Sequence, residues 1–116
     1  MSVEIWHNPR CSKSRATLKL LQENGVEPRV RLYLEDAPSK AEIEAVLSAL
    51  GIPAIGLVRT GETEFRASGL TKDSPAADLI SAMVSTPKLI ERPIVISNGK
   101  ARIGRPPEAV LDLLQS

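Results

Sequence analysis

The chain has a single cysteine, Cys11, and a single histidine, His7, among its 116 residues. One thiol excludes an internal disulfide, and one cysteine beside one histidine gives no zinc-ligand spacing, so no metal is expected. Excess charge of one sign is missing as well: Lys and Arg total 15 against 14 Asp and Glu, a formal net charge of +1. That balance gives no polyanion-binding signal, and nucleic acid is not an expected partner. No apolar run approaches membrane-spanning length, and the N-terminus passes straight into a short strand without a basic n-region and an apolar h-region. Neither membrane anchoring nor export is expected, and the expected location is cytoplasmic. Repeats, linkers and low-complexity tracts are absent too. A chain of this length closes one hydrophobic core without staples, so residues 1–116 read as one domain.

Val3 to Trp6 is a short β-prone run that stops at His7-Asn8-Pro9, which reads as a strand ending in a loop. From Ser12 the pattern turns helical, with Ser14, Thr17, Leu18 and Leu21 on one stripe and Gly25 as the stop. Val30, Leu32 and Leu34 alternate with Arg31 and Tyr33, a second strand after a crossover long enough to run parallel to the first. Ser39 with Glu42 forms a capping box ahead of Ile43, Val46, Leu47 and Leu50, and Gly51 closes that helix. Between Ile52 and Leu70, Pro53, Gly56, Gly61 and Gly69 interrupt any long period, which predicts short helical turns and loops. Ser74-Pro75 reads as an N-cap and first-turn pair for a helix carrying Leu79, Ile80 and Met83, ended by Pro87. Ile94-Val95-Ile96, the pair Asn98-Gly99 and Ala101-Arg102-Ile103 spell a hairpin. A last helix from about Pro107 carries Val110, Leu111 and Leu114.

The order is a βαβ half, a helical insertion and a ββα half around a mixed four-stranded sheet with flanking helices. It matches the thioredoxin-like plan, an α/β fold in which a reactive thiol follows the first strand and opens the first helix. The periodicity puts Cys11 there. A helix N-terminus offers unpaired N–H groups and partial positive charge, which favour a thiolate and also cradle a tetrahedral oxyanion. His7, Arg10, Lys13 and Arg15 add positive potential nearby, and Asn8-Pro9 forms the loop. Ser14 stands where the second cysteine of a Cys-x-x-Cys motif would be. Its hydroxyl has a proton to donate to the thiolate, but it cannot resolve a mixed disulfide. The bland reading, a small buried hydrophobe, suits most free cysteines but fits poorly at a helix start ringed with charge.

HNPRCSKSR at residues 7–15, LYLED at 32–36, GLVR ending at Arg59, ASGL before Thr71, ERPIVISNG from Glu91 and RIGRPPE from Arg102 together resemble the glutaredoxin-linked arsenate reductases, particularly their shorter members. The resemblance covers nearly the whole chain. It implies that Cys11 is the catalytic nucleophile and that Arg59, Arg92 and Arg105 bind the oxyanion, with His7, Asn8, Ser14, Arg15 and Pro93 in support. A guanidinium keeps its charge and presents forked donors, which suits a tetrahedral oxyanion. Arg92 and Arg105 each precede proline, which biases both toward extended backbone at loop edges. The resemblance further suggests a cis bond at Pro93. It implies arsenate as substrate in arsenic detoxification, no bound cofactor, glutathione as co-substrate and glutaredoxin as the partner that resolves the mixed disulfide. The lone cysteine agrees independently, since reductases that form an internal disulfide need a second one.

Three other readings stand beside this one. A phosphatase with a Cys-x5-Arg loop would need arginine at position 17, where the chain has Thr17. A non-catalytic regulator that binds RNA polymerase is the second, although its relatives often carry a Cys-x-x-Cys switch that Ser14 removes. The third is a glutathione-dependent thiol oxidoreductase of the same fold acting on another substrate.

Overall fold

Val3–Trp6 forms strand β1 in the computed structural model, which describes residues 2–115. The chain divides into two compact units, one built from residues up to Asp36 together with those from Arg92 onward, the other from Ala37–Glu91.

The first unit contains the sheet, in the order β2-β1-β3-β4. Strand β1 pairs in parallel with β2 (Arg29–Arg31), placing Ile5 opposite Val30. It pairs antiparallel with β3 (Ile94–Ser97), placing Ile5 opposite Val95, and β3 continues antiparallel to β4 (Lys100–Ile103). The β3–β4 turn takes positive φ at both Asn98 (53°) and Gly99 (76°), the combination a two-residue hairpin matched to sheet twist requires. This is the mixed four-stranded sheet of the thioredoxin-like plan.

Helix α1 (Ser12–Glu23) crosses between β1 and β2 and buries Ser14, Thr17 and Leu21. Its end is set by Gly25 at φ 80°: the Gly25 N–H donates to Gln22 O at 3.0 Å and the Val26 N–H to Leu21 O at 2.9 Å. Those bonds satisfy two terminal carbonyls and fold Val26 back onto the core, a Schellman ending. Val3, Ile5, Leu21, Val95, Val110 and Leu113 make that core, with Leu18, Val26 and Leu114 packed at its margin. Full burial of each such side chain is worth about 1.5–3 kcal/mol, so this cluster anchors α1, and with it the residue that opens α1, against the sheet.

Two elements differ from their sequence patterns. The second strand stops at Arg31, because the Glu35 and Asp36 N–H groups both donate to Leu32 O, at 2.9 and 2.8 Å, and turn the chain. Tyr33, with the largest apolar surface of the run, takes the buried side at 1% exposure. Leu32 and Leu34 are left 37% and 45% exposed. The C-terminal segment Pro107–Gln115 is a 3₁₀ helix that buries Val110 and Leu113. Three residues per turn aligns i with i+3, so Leu113 rather than Leu111 joins Val110 in the core.

The second unit is helical. Helix α2 (Lys40–Leu50) opens on the expected capping box and closes on Gly51 at φ 69°. The Ser39 N–H donates to Glu42 Oε1 at 2.9 Å, and the Glu42 N–H donates to Ser39 Oγ at 3.2 Å. A 3₁₀ turn at Ala54–Leu57 and the short α3 (Thr63–Ala67) occupy the stretch whose glycines and proline forbid a longer helix. Helix α4 (Ala76–Ser85) buries Leu79, Ile80 and Met83. It starts one residue later than the Ser-Pro pattern suggests: Pro75 is the N-cap, and Ser74 Oγ instead accepts from the Thr71 N–H at 2.9 Å. Val58 and Ile90 bridge within this unit.

Candidate active site

Cys11 is the N-cap of α1, extended at φ −96° and ψ 123°, with its carbonyl accepting from the Arg15 N–H at 3.0 Å. The loop before it is organised by Asn8. The Asn8 carbonyl accepts from the Cys11 N–H at 3.0 Å, and Asn8 Oδ1 accepts from the Arg10 N–H at 3.0 Å. Its own N–H donates to Ser14 Oγ at 3.0 Å. One asparagine thus ties the loop to itself and to the first turn of the helix, a local use of an Asx side chain that competes well with regular structure. The Arg15 guanidinium folds back to donate to Pro9 O at 2.9 Å.

Ser14 is fully buried, and its hydroxyl lies 2.6 Å from His7 Nδ1. The Ser14 hydroxyl is therefore occupied by His7 and Asn8, not by the Cys11 sulfur. His7 is buried as well, and its pKa falls below the ordinary imidazole value, first because burial penalises the charged ring and second because of the nearby Arg15 charge. A neutral ring is the form that suits this site, and the direction of the hydrogen bond that Nδ1 shares with Ser14 is set by the tautomer.

The far end of the unit brings a cation to the sulfur. Arg105 Nη2 lies 3.7 Å from Cys11 Sγ, and Arg105 Nε donates to Arg92 O at 2.8 Å. The two Arg-Pro segments are linked again by the Gly104 N–H, which donates to Pro93 O at 2.9 Å. The peptide bonds before Pro93 and Pro106 are both cis. Cys11, His7, Asn8, Ser14, Arg15, Arg92, Pro93 and Arg105 all belong to the first unit. Arg59 belongs to the second, where its guanidinium pairs with Glu62 at 2.7 Å and Glu91 at 3.8 Å. Among the described residues no group of three or more His, Cys, Asp or Glu side chains is placed to hold a metal ion. No helix among them is long and apolar enough to cross a membrane.

Gly104 is a site residue that sequence reasoning passed over. A Cβ there would lie 2.5 Å from Thr17 Oγ1 and 2.7 Å from Pro93 Cγ, so the glycine lets the β4 end close against both α1 and the Pro93 loop. The available signal was a glycine between a strand and an Arg-Pro pair with no turn to explain it, the pattern of close backbone approach.

The geometry therefore holds a thiol at a helix start, a guanidinium near its sulfur, and a buried imidazole bonded to a buried hydroxyl. Comparison with known proteins finds the same framework elsewhere. A family model described as the ArsC family matches residues 6–113. The uncharacterised protein YfgD of Escherichia coli K12 is 54% identical over 97% of this chain and 96% of its own length. A Haemophilus influenzae protein named arsenate reductase is 45% identical over 98% of this chain and 100% of its own. The solved structure titled arsenate reductase from Vibrio cholerae superposes with a TM-score of 0.94 at 46% identity, covering 97% of this chain and 98% of that one.

Proposed function

The chain belongs to the ArsC family, and from that premise we propose that it is an arsenate reductase in which Cys11 is the nucleophile and glutathione with glutaredoxin supplies the electrons. The observation that carries the reading is Cys11 at the N-cap of α1 with the Arg105 guanidinium 3.7 Å from its sulfur. A guanidinium there meets the charge of an incoming oxyanion, and the N–H groups of the first turn favour the same anion. Arg92, in the same unit as Cys11 and Arg105, joins the anion-binding set that the family resemblance implies.

In the first step the Cys11 thiolate attacks arsenic, an S–As bond forms, and an arsenate oxygen leaves as water once protonated; arsenic stays As(V). A glutathione thiolate then attacks the Cys11 sulfur. The S–S bond forms as the S–As bond breaks, its electron pair remains on arsenic, and As(III) departs as arsenite after taking up protons from water. Glutaredoxin resolves the Cys11–glutathione disulfide by thiol exchange, regenerating the thiolate. The sum is one arsenate and two thiols giving one arsenite, one disulfide and one water. Such a cycle requires a reducing compartment, so cytoplasmic location is part of the proposal.

The test is arsenate-dependent NADPH oxidation with glutathione, glutaredoxin and glutathione reductase, with Cys11→Ser in parallel. Turnover is expected in the natural chain and its loss in the variant, because serine is nearly isosteric but a far poorer nucleophile. Turnover retained by Cys11→Ser would refute the assignment. Absent turnover with rapid modification of Cys11 by glutathione disulfide would favour a thiol oxidoreductase with a different substrate.

A further inference from the structure

Two chain segments, His7–Arg10 and the turn residues Leu32, Leu34 and Glu35, line a cavity of about 220 Å³ beside the loop that ends at Cys11. Its apolar part is open: Leu32 and Leu34 are more than a third exposed. Its charges are open too. Among the described residues neither the Arg10 guanidinium nor the Glu35 carboxylate has an ion-pair partner, whereas neighbouring charges do: Arg31 pairs with Asp36 at 3.4 Å and Arg29 with Glu4 at 3.8 Å. Opposite charges that line one groove without pairing complement a ligand carrying both signs.

We propose that this groove seats the reducing thiol, a small zwitterionic thiol whose carboxylate meets Arg10, whose ammonium meets Glu35 and whose stem lies on Leu32 and Leu34. The inference rests on the reading of Cys11 as a nucleophile reduced from outside. With one cysteine in the chain, the second sulfur of any disulfide comes from elsewhere and must reach Cys11. Arg10 is its chain neighbour, and the Cys11 N–H is bonded to Asn8 O in the groove wall. At about 220 Å³ the cavity takes part of a tripeptide, roughly 10 Å long when extended, and the rest lies along the exposed Leu32 and Leu34. The thiol step is the one balanced above: the seated thiolate attacks the Cys11 sulfur, and the S–As electron pair stays on arsenic.

The experiment compares the intact chain with Glu35→Lys and with the exchanged pair Arg10→Glu plus Glu35→Arg. Reversing one charge of a complementary pair raises the KM for glutathione on the order of tenfold, and the exchange recovers part of the loss. In Glu35→Lys the KM for arsenate and the rate with uncharged 2-mercaptoethanol stay unchanged. A second arm needs no arsenate: intact-protein mass spectrometry follows modification of Cys11 by glutathione disulfide, and Glu35→Lys slows it by a similar factor. That arm reads the groove even if arsenate proves to be the wrong substrate. Unchanged glutathione kinetics in both arms, or an equal loss with 2-mercaptoethanol, would overturn the proposal. Loss confined to reduction by glutaredoxin would overturn it as well, by assigning the surface to a protein.

Discussion

Arg105 reaches Arg92 O through Nε and Cys11 Sγ through Nη2 with one planar group. A lysine ammonium on its flexible stem does not reproduce that fork. His7 is the other residue whose state the site depends on. Its lowered pKa means that the folded chain resists a proton that the unfolded chain accepts at the ordinary value of about 6.5. The unfolded state binds more protons below that pH, so stability is full above it and falls as the medium acidifies toward the folded pKa. Urea melts at about pH 7.5 and 5 should therefore show an acid loss in the natural chain larger than in His7→Gln, which has no titrating ring. Equal losses would show that another group carries the acid sensitivity. The sequence marked His7 as a source of positive potential near Cys11 and Ser14 as the counterpart of a second cysteine, its hydroxyl turned to the thiolate. Their mutual bond at 2.6 Å was not legible, since it depends on which way the loop folds over the first turn of α1.

Elements were legible where local chemistry alone decides them. The Ser39–Glu42 box, the Gly25 and Gly51 stops and the Asn98-Gly99 turn each work through bonds within a few residues, and each lies where the sequence placed it. The second strand and the last helix differ because alternation does not say which set faces inward, and a stripe does not say how many residues make a turn. Gly104 failed for a third reason: its role is a long-range steric one. The Thr17 hydroxyl is fixed by donating to Lys13 O at 2.8 Å, and Pro93 is a rigid ring, so neither gives way readily to a Cβ on Gly104. Gly104→Ala should lower stability by about 1–3 kcal/mol, the usual cost of an inserted methyl in a packed region, and should shift Cys11 relative to Arg105. Thermal melts and arsenate kinetics read the two effects separately; a variant as stable and active as the natural chain would contradict the close approach.

At the scale of the whole chain, the order of elements was enough to give the mixed sheet, because a βαβ crossover and a tight hairpin leave few arrangements. The pairing of side-chain charges was not readable in that way: Arg59 with Glu62 and Glu91, or the open pair Arg10 and Glu35, depend on where elements end in space. One property of the whole chain follows from its composition alone. Reducing As(V) to As(III) takes two electrons, and two thiols forming a disulfide supply them; this chain has one thiol. Reduced protein mixed with arsenate in the absence of any other thiol should therefore stop at the S–As adduct and release no arsenite. Adding glutathione should release arsenite at one per chain in the first turnover, with glutathione joined to Cys11. Rapid quench with arsenite speciation and intact mass measures both. Arsenite released at one per chain before glutathione is added would mean that electrons come from a group other than a partner thiol, and the cycle built on Cys11 would fall.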